Sequence, residues 1–361
     1  MMNMTKTIGN DRGIALLLVI SVTTILVATA LEYNRRARFA LLSAAAARDR
    51  LTLSQMAASG IHASMALLAK DRTESNIDAL QEDWANPNKI SEMLSEIPFD
   101  DGTLSVAISD EMGRIQVNAL VTFPDSRNFN DSQRRLLERY FNAFNDAAEE
   151  TPEDSQPEAI INSLKDWLDS GDDEAITGLS GAESAYYQDL SPAYSSRNGP
   201  IADINDLLMV KGITSELFYG SAEKPGIEDA LTVYGMKPGA STSFTFTGKI
   251  NINTAPLPVL VSMLPSENAE LALAFFEWRQ EAATDKNAPD LSDPTWYKNV
   301  TGFSAMNLDS KLITTASDIF RIISEAKVNE AVLTATAVVN RLKSEKTGKW
   351  YCKILSYQSE S

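Results

Sequence analysis

The segment IALLLVISVTTILVATAL, from Ile14 to Leu31, decides the fold, because it contains eighteen residues without a charge. As a helix it would span about 27 Å, close to the hydrocarbon thickness of a bilayer. A short polar leader with Lys6 and Arg12 precedes it, and Arg35 and Arg36 follow it. The segment (residues 14–31) therefore predicts a single membrane-spanning helix, although basic residues on both sides give only a weak orientation by the positive-inside rule.

The helical pattern continues beyond the apolar segment. Between Glu32 and about Lys70 there is no proline, and Gly60 is the only glycine. Apolar residues recur at helical spacing, at Leu41, Leu42, Ala45, Leu51, Leu53, Met56, Met65, Leu67 and Leu68. We therefore predict one long helix that continues as an amphipathic stem in residues 32–85. Ala28-Thr29-Ala30 resembles a signal-peptide cleavage site, but a cleaved signal has no need of this continuation.

The composition restricts the function. The chain has 361 residues and a formal charge of −17, from 49 acidic and 32 basic side chains. Such a surface repels phosphate backbones and favours divalent cations. The single Cys352 excludes an intrachain disulfide, and the single His62 disfavours a His-rich zinc site or a Ser-His-Asp triad. Since no G-x-S-x-G, P-loop or H-E-x-x-H motif occurs, we do not expect an enzyme.

Strand-like patterns lie at the two ends of the globular head. TLSVAIS (103–109) and RIQVNAL (114–120) both alternate, and the turn residues between them predict a hairpin within residues 86–123. Further strands are predicted near the C terminus, at 318–328, 331–342 and 349–357. Because strands so far apart in sequence both need a sheet, we predict one antiparallel sheet, completed by residues 318–361, that a large insertion interrupts.

The insertion, residues 124–317, is predicted to be α-helical in two parts, about 124–240 and 250–317. Apolar residues repeat at helical spacing in 133–148, 158–168, 203–219 and 250–279. In the last segment Thr254 could cap a helix, and Pro265-Ser266 marks a break. The predicted fold class is thus α+β: a long N-terminal helix and an antiparallel sheet, interrupted by a large α-helical insertion of SAM-like or helix-hairpin-helix type.

A charged leader that ends in glycine, followed at once by an apolar helix, resembles the type III signal of pilins and pseudopilins. The resemblance implies that a prepilin peptidase removes residues 1–13 by cutting between Gly13 and Ile14, and that the new amino terminus is methylated. Most members have glutamate at the fifth mature position, where this chain has Leu18. That departure argues against a repeating major subunit and favours the one pseudopilin class that lacks the glutamate. An uncleaved signal anchor is the alternative.

Motifs along the whole chain are similar to those of the K-type minor pseudopilins of type II secretion systems, the general secretion pathway protein K family. They are the Gly13–Leu31 signal, Asp166-Trp167-Leu168-Asp169, Gly181-Ala182-Glu183 with Tyr186-Tyr187, Arg197-Asn198-Gly199-Pro200 leading into 203–212, Asn251-Ile252-Asn253-Thr254-Ala255, and Ile319-Phe320-Arg321-Ile322. Each motif alone is weak, but together they occur in the family's order.

The resemblance implies a pilin-like fold with a large α-helical domain inserted into its sheet. It also implies a minor pseudopilin at the tip of the periplasmic pseudopilus, beside the I-type and J-type minor pseudopilins, where it starts filament assembly and supports protein export. It implies a single-pass protein of the Gram-negative inner membrane with its head in the periplasm. Secreted proteins or the outer-membrane secretin are further implied contacts, and no nucleic-acid partner is expected.

The segment 166–174 contains five acidic residues in nine, without the ligand spacing of an EF-hand. From the residues alone, a solvated acidic loop and a Ca²⁺ site both stay open, and charge runs are more often solvated. The family resemblance implies calcium in this domain, with Asp169, Asp172 and Glu183 as ligands and Asp173 as a further candidate. Asp166 could be a ligand or only a helix end. The implied role is structural, because no disulfide can hold this loop.

A membrane-anchored DNA-uptake receptor is the alternative function, because such proteins contain helix-hairpin-helix units behind a signal anchor. The segment ININTA (250–255) resembles their motif. These hairpins hold phosphate through backbone N–H groups, aided by glycine and lysine. Here one hairpin offers only Lys211 beside Gly212, and the other has Met263-Leu264-Pro265 at its turn. The negative charge of the chain disfavours DNA binding further.

Overall fold

The computed structural model describes residues 11–99, 101–123, 126–144, 152–171, 176–221, 224–239, 243–282 and 290–360. The α-helices are α1 Asp11–Glu74, α2 Pro87–Ser95, α3 Asp131–Phe144, α4 Pro157–Leu168, α5 Ser184–Gln188, α6 Ser215–Tyr219, α7 Leu257–Met263 and α8 Leu271–Ala282. The strands are β1 Thr103–Asp110, β2 Ile115–Gln116, β3 Leu231–Thr232, β4 Met236–Pro238, β5 Phe244–Phe246, β6 Ile250–Asn251, β7 Ile313–Thr314, β8 Ile319–Val328, β9 Ala331–Lys343 and β10 Trp350–Glu360.

The stem is a single helix, α1, of 64 residues. Among the described residues it is the one helix long and apolar enough to cross a membrane, and none of its most apolar window is buried. From Leu53 onward one face is buried, formed by Leu53, Met56, Ala57, Ile61 and Leu68. The helix ends at Glu74, before residue 85, where the predicted stem ended. There the Ser75 hydroxyl accepts a hydrogen bond from Ile77 N–H at 3.2 Å, a local turn that competes with the helix.

The buried face of α1 packs on a four-stranded antiparallel sheet with strand order β1-β8-β9-β10. β1 pairs with β8 along its whole length, from Thr103 opposite Lys327 to Asp110 opposite Phe320. α2 packs against β1 at one side of the sheet, and β10 forms the opposite edge. The prediction of a long N-terminal helix with one antiparallel sheet, whose strands are distant in sequence, is therefore confirmed.

The stem approaches the sheet closely at Gly60. A Cβ atom at this position would collide with the Ser324 hydroxyl on β8 and with the Val106 side chain on β1. The only glycine between Glu32 and Lys70 is thus the residue that lets the helix lie on the sheet.

The predicted hairpin between 103–109 and 114–120 is wrong. β1 pairs with β8 instead, and the second run supplies only β2, which pairs in parallel with β3. The physical reason is burial, because every residue from 115 to 121 is buried and the run has no solvent face. Even Asn118 points inward, where its amide donates to the carbonyls of Ile201 and Val233 at 2.9 and 2.7 Å. The alternation therefore reflects a buried segment of the insertion.

Residues 111–318 lie between β1 and β8 and form a mainly helical body with its own apolar core. Helices occur where apolar spacing predicted them, in α3, α4, α7 and α8. The two-residue strands of this body were not expected, and the SAM-like or helix-hairpin-helix type of the insertion stays a prediction. The suggested cap is wrong: Pro256 occupies the N-cap position of α7, and the Thr254 hydroxyl donates to Asp110 at 2.6 Å.

Candidate metal site and polar junction

The first acidic cluster consists of Asp166, Asp169 and Glu183. Asp166 lies in the last turn of α4, Asp169 is the residue after its end, and Glu183 directly precedes α5. One carboxylate oxygen from each residue lies within 4.8 Å of the others. The three residues are only 0%, 7% and 5% exposed, so the carboxylates converge in a place that water reaches poorly.

Local contacts hold this cluster in place. Asp166 accepts hydrogen bonds from the Thr177 backbone N–H at 3.0 and 3.1 Å, and Asp169 accepts one from Gly171 N–H at 3.0 Å. Lys165 lies 2.9 Å from Asp169 and 3.9 Å from Asp166, which offsets part of the negative charge. A Cβ at Gly181 would collide with Asp166 Oδ2, so this glycine allows the loop to close around the carboxylate.

The donor set fits a hard divalent cation. Burial raises the pKa of Asp166, although the hydrogen bonds from Thr177 and the charge of Lys165 lower it. Three converging carboxylates offer oxygen ligands of the kind that Ca²⁺ prefers, and a bound cation would offset the cost of burying their charges. The residues present therefore fit the calcium site that the family resemblance implies.

The structure brings together only part of the predicted ligand set. Asp169 and Glu183 lie side by side. Asp166, for which the sequence left open whether it is a ligand or only a helix end, completes the cluster. Asp172 and Asp173 lie outside the described residues. At the other end of the protein, Gly13, Ile14 and Leu18 lie on the exposed N-terminal part of α1, with Ile14 and Leu18 each 61% exposed.

A second acidic group, Asp71, Asp78 and Glu82, lies where the stem meets the sheet. An arginine of the protein itself supplies the positive charge that balances this group. The buried Arg341 guanidinium on β9 lies 3.1 Å from Asp71 and 2.6 Å from Asp78. Arg72 lies 3.9 Å from Asp78. Burial raises the pKa of Asp78 to about 7 and that of Asp71 to about 6, although Arg341 lowers both. This group needs no metal.

The helical body joins the same group through Asn251, at the end of β6. The Asn251 amide donates to Asp78 O at 2.9 Å, to Asp110 Oδ2 at 2.8 Å and to Ser317 Oγ at 3.1 Å. The Ser317 hydroxyl also donates to Asp110 at 2.6 Å, and Arg341 donates to Ser317 O at 2.8 Å. We call Asp71, Asp78, Asp110, Asn251, Ser317 and Arg341 the polar junction. It links stem, sheet and helical body between two separate apolar cores.

The polar junction gives the Asn251–Ala255 motif a structural explanation that sequence reasoning missed. Asn251 and Asn253 are fully buried, and Asn253 accepts a hydrogen bond from Trp296 Nε1 at 2.7 Å. These amides are therefore unavailable to a phosphate. The signal in the sequence was the pair of asparagines in an apolar context, because a buried amide must find internal partners.

The architecture defines the class of fold: a long N-terminal helix packed on one face of an antiparallel sheet, with residues 111–318 between the first two strands of the sheet. Residues 113–220, which include the first acidic cluster, match the family model for protein K of the type II secretion system (T2SS). Residues 113–220 of this chain are thus similar to protein K of type II secretion systems, which supports the family predicted from the sequence.

Two relatives and one solved structure agree with this family. The chain is 25% identical over 213 residues to type II secretion system protein K of Aeromonas hydrophila, and 25% identical over 218 residues to that of Klebsiella pneumoniae. These alignments cover 57% and 58% of this chain, and 60% of the length of each relative.

The fold is similar to that of a chain in the crystal structure of the GspK-GspI-GspJ complex from the type 2 secretion system of enterotoxigenic Escherichia coli. The TM-score is 0.59 at 18% identity, over 88% of this chain and 98% of the matched chain. At this identity the likeness concerns the fold.

Proposed function

We propose that the chain is a minor pseudopilin of a type II secretion system, located at the tip of the periplasmic pseudopilus with I-type and J-type minor pseudopilins. The observation that carries the proposal is the 64-residue helix, which is apolar and exposed at its start and packed against the head at its end. A solved complex of similar fold contains such partners. The protein acts as a structural component of protein export, with no catalytic residues.

In this mechanism the apolar part of α1 anchors the protein in the inner membrane of a Gram-negative cell, with its head in the periplasm. Prepilin peptidase cuts between Gly13 and Ile14, and the new amino terminus is methylated. During assembly, packing against neighbouring stems replaces the lipid contacts of the exposed segment. Because Leu18 offers no carboxylate to a neighbouring amino terminus, the subunit suits the end of a filament. Contacts with secreted proteins or the secretin belong to the head.

Calcium has a structural role in this proposal. Asp166, Asp169 and Glu183 would hold it, with Asp172 and Asp173 as further candidates, and the ion would supply positive charge that ties the carboxylates together. Bound there, the ion would connect the end of α4 to the start of α5, two helices that also meet where Trp167 packs against Tyr187 with ring centroids 5.1 Å apart.

The proposed position is tested by maturation and by complex formation. Leu18→Glu should leave cleavage by prepilin peptidase unchanged, because the residue after the cut is still Ile14; loss of cleavage would contradict our interpretation of position 18. Full-length protein co-expressed with the I-type and J-type subunits of its system should purify as a ternary complex. If no complex forms in any detergent that keeps the proteins folded, the proposed function is wrong.

The DNA-uptake receptor is not favoured, because the motif that suggested it is buried in the polar junction. A gel shift at low salt measures this directly, and we expect no retardation of duplex or single-stranded DNA.

A further inference from the structure

The two edges of the main sheet differ. At one edge α2 packs against β1. At the other edge β10 pairs with β9 on one side, and among the residues described no strand pairs with its other side. The open edge is eleven residues long and has one irregularity, between Ile354 and Ser356. A long open edge presents unpaired backbone N–H and C=O groups that can accept another strand.

β10 also exposes large apolar side chains beside these groups. Tyr351 is 47% exposed, Ile354 36%, Leu355 42% and Tyr357 45%. Four large apolar residues within one edge strand exceed the scattered exposure that is normal for a protein surface. They occur between residues 351 and 357 on both faces of the strand, so an extended segment added to the open edge would lie beside them.

The charge around this edge is opposite to that of the protein as a whole. Lys343, Lys346, Lys349 and Lys353 are all exposed on β9, the turn and β10, and Glu345 is the one acidic residue among residues 343–353. The whole chain has a formal charge of −17. Such a local basic patch on an otherwise acidic surface attracts an acidic partner.

We propose that the open edge of β10 and its four lysines form a docking surface that binds an extended, acidic segment of a neighbouring tip subunit as an added β-strand. The proposal rests on the proposed function, because it takes the neighbour to be an I-type or J-type minor pseudopilin. Backbone pairing supplies the alignment, the exposed apolar side chains supply contact area, and the lysines select the acidic segment. A lipid surface offers negative charge but no backbone groups to pair with the edge.

The test uses the full-length chain in detergent with full-length I-type and J-type subunits of the same secretion system. The quadruple variant Lys343→Glu, Lys346→Glu, Lys349→Glu and Lys353→Glu reverses the patch. A matched control reverses four exposed lysines elsewhere, Lys89→Glu, Lys249→Glu, Lys311→Glu and Lys327→Glu, with the same change in net charge. We expect the patch variant to weaken binding of one partner at least about tenfold, and the control by less than about threefold.

Hydrogen exchange of the wild-type chain provides a second measurement that does not depend on the folding of any variant. Amides within residues 350–360 whose N–H groups point away from β9 should exchange at least about tenfold more slowly in the complex than in the free chain, because they donate hydrogen bonds to the carbonyls of the added strand.

Each outcome bears on the proposal. If the wild type forms the complex while residues 350–360 gain no protection, the docking surface is wrong and the proposed function stands. Equal weakening by the two quadruple variants would also overturn it, since only net charge would then matter. Protection that appears without partners, in nanodiscs that contain phosphatidylglycerol or in a dimer of this chain, would assign the edge to lipid or to a second copy. If the wild type binds neither partner, both proposals fall.

Discussion

Replacing Arg341 with leucine tests whether the polar junction holds the head together. The guanidinium is 1% exposed and lies 3.1 Å from the Asp71 carboxylate and 2.6 Å from that of Asp78. It also donates to the carbonyls of Leu68 and Ser317, at 3.2 and 2.8 Å. Leucine would leave two buried carboxylates without their cation. Breaking a buried ion pair in this way costs about 3–5 kcal/mol, a large part of the roughly 5–15 kcal/mol that stabilises a typical domain.

The assay is equilibrium unfolding of the full-length protein in detergent at about pH 8, above the pKa of about 7 of Asp78 and of about 6 of Asp71, followed by tryptophan fluorescence. Trp84 lies in the stem–sheet core, with its ring centroid 5.2 Å from that of Phe320, so it reports on the region beside the junction. The matched control is Arg48→Leu on the stem, because Arg48 pairs with Asp49 at 2.9 Å but its side chain is 75% exposed. The control should change the free energy of unfolding by less than about 1 kcal/mol.

A loss below about 1 kcal/mol for Arg341→Leu, or a loss equal to that of the control, would refute this reasoning. The double variant Arg341→Leu/Asp78→Asn separates the ion pair from the packing of the arginine. Because it removes a negative charge together with the guanidinium, it should be more stable than the sum of the two single losses by about 0.5–3 kcal/mol.

Three further predictions concern pH, calcium and the stem. Burial raises the pKa of Asp78 to about 7 and that of Asp71 to about 6, above the ordinary 3.8, so the stability contributed by their protonated forms is lost as pH rises through these values. The contribution of these groups to the free energy of unfolding should therefore be smaller at about pH 8 than at about pH 5. Asp78→Asn should weaken this pH dependence of the free energy of unfolding, and an equal pH dependence in variant and wild type would contradict the prediction. Calcium at about a hundredfold excess over its dissociation constant should stabilise chelator-treated protein by about 3 kcal/mol in a thermal melt. Asp169→Asn should abolish that gain and the exposed control Glu158→Gln should keep it, whereas an unchanged melting temperature would exclude the site. Gly60→Ala should destabilise the protein by about 1–3 kcal/mol although alanine favours helices, because its Cβ collides with Ser324. Ser59→Ala, one residue away, should be close to neutral, and a stabilising Gly60→Ala would show that the helix can shift.

Local sequence patterns predicted the elements whose burial is one-sided. The stem has an apolar stripe, and β8, β9 and β10 are rich in β-branched and aromatic residues, so their periodicity shows in the sequence. The run 115–121 failed this approach because it is buried on all sides, where alternation no longer distinguishes a strand from an irregular core segment.

Local sequence patterns could not predict the long-range contacts, for a different reason. Asp78, Asp110, Asn251 and Arg341 meet only because the chain returns to one place from four distant segments, and no spacing in the sequence encodes that meeting. The first acidic cluster was partly predictable, because Asp166 and Asp169 are close along the chain and Glu183 belongs to a neighbouring motif. Whether Asp166 ended a helix or faced the cluster depended on how the loop to Gly181 closes, which only the structure shows.

The position of β1 next to β8 has a consequence for the order in which the protein can form. Three of the four sheet strands, β8, β9 and β10, come from the last part of the chain. Until a ribosome has released that part, the apolar side chains Leu53, Met56, Ile61 and Leu68 have no sheet to cover them. The helical body, with its own core, can fold first, while the stem stays open to aggregation. Completion of the head therefore waits for its final strands, so a truncation within 319–360 should leave the stem uncovered rather than shorten the sheet.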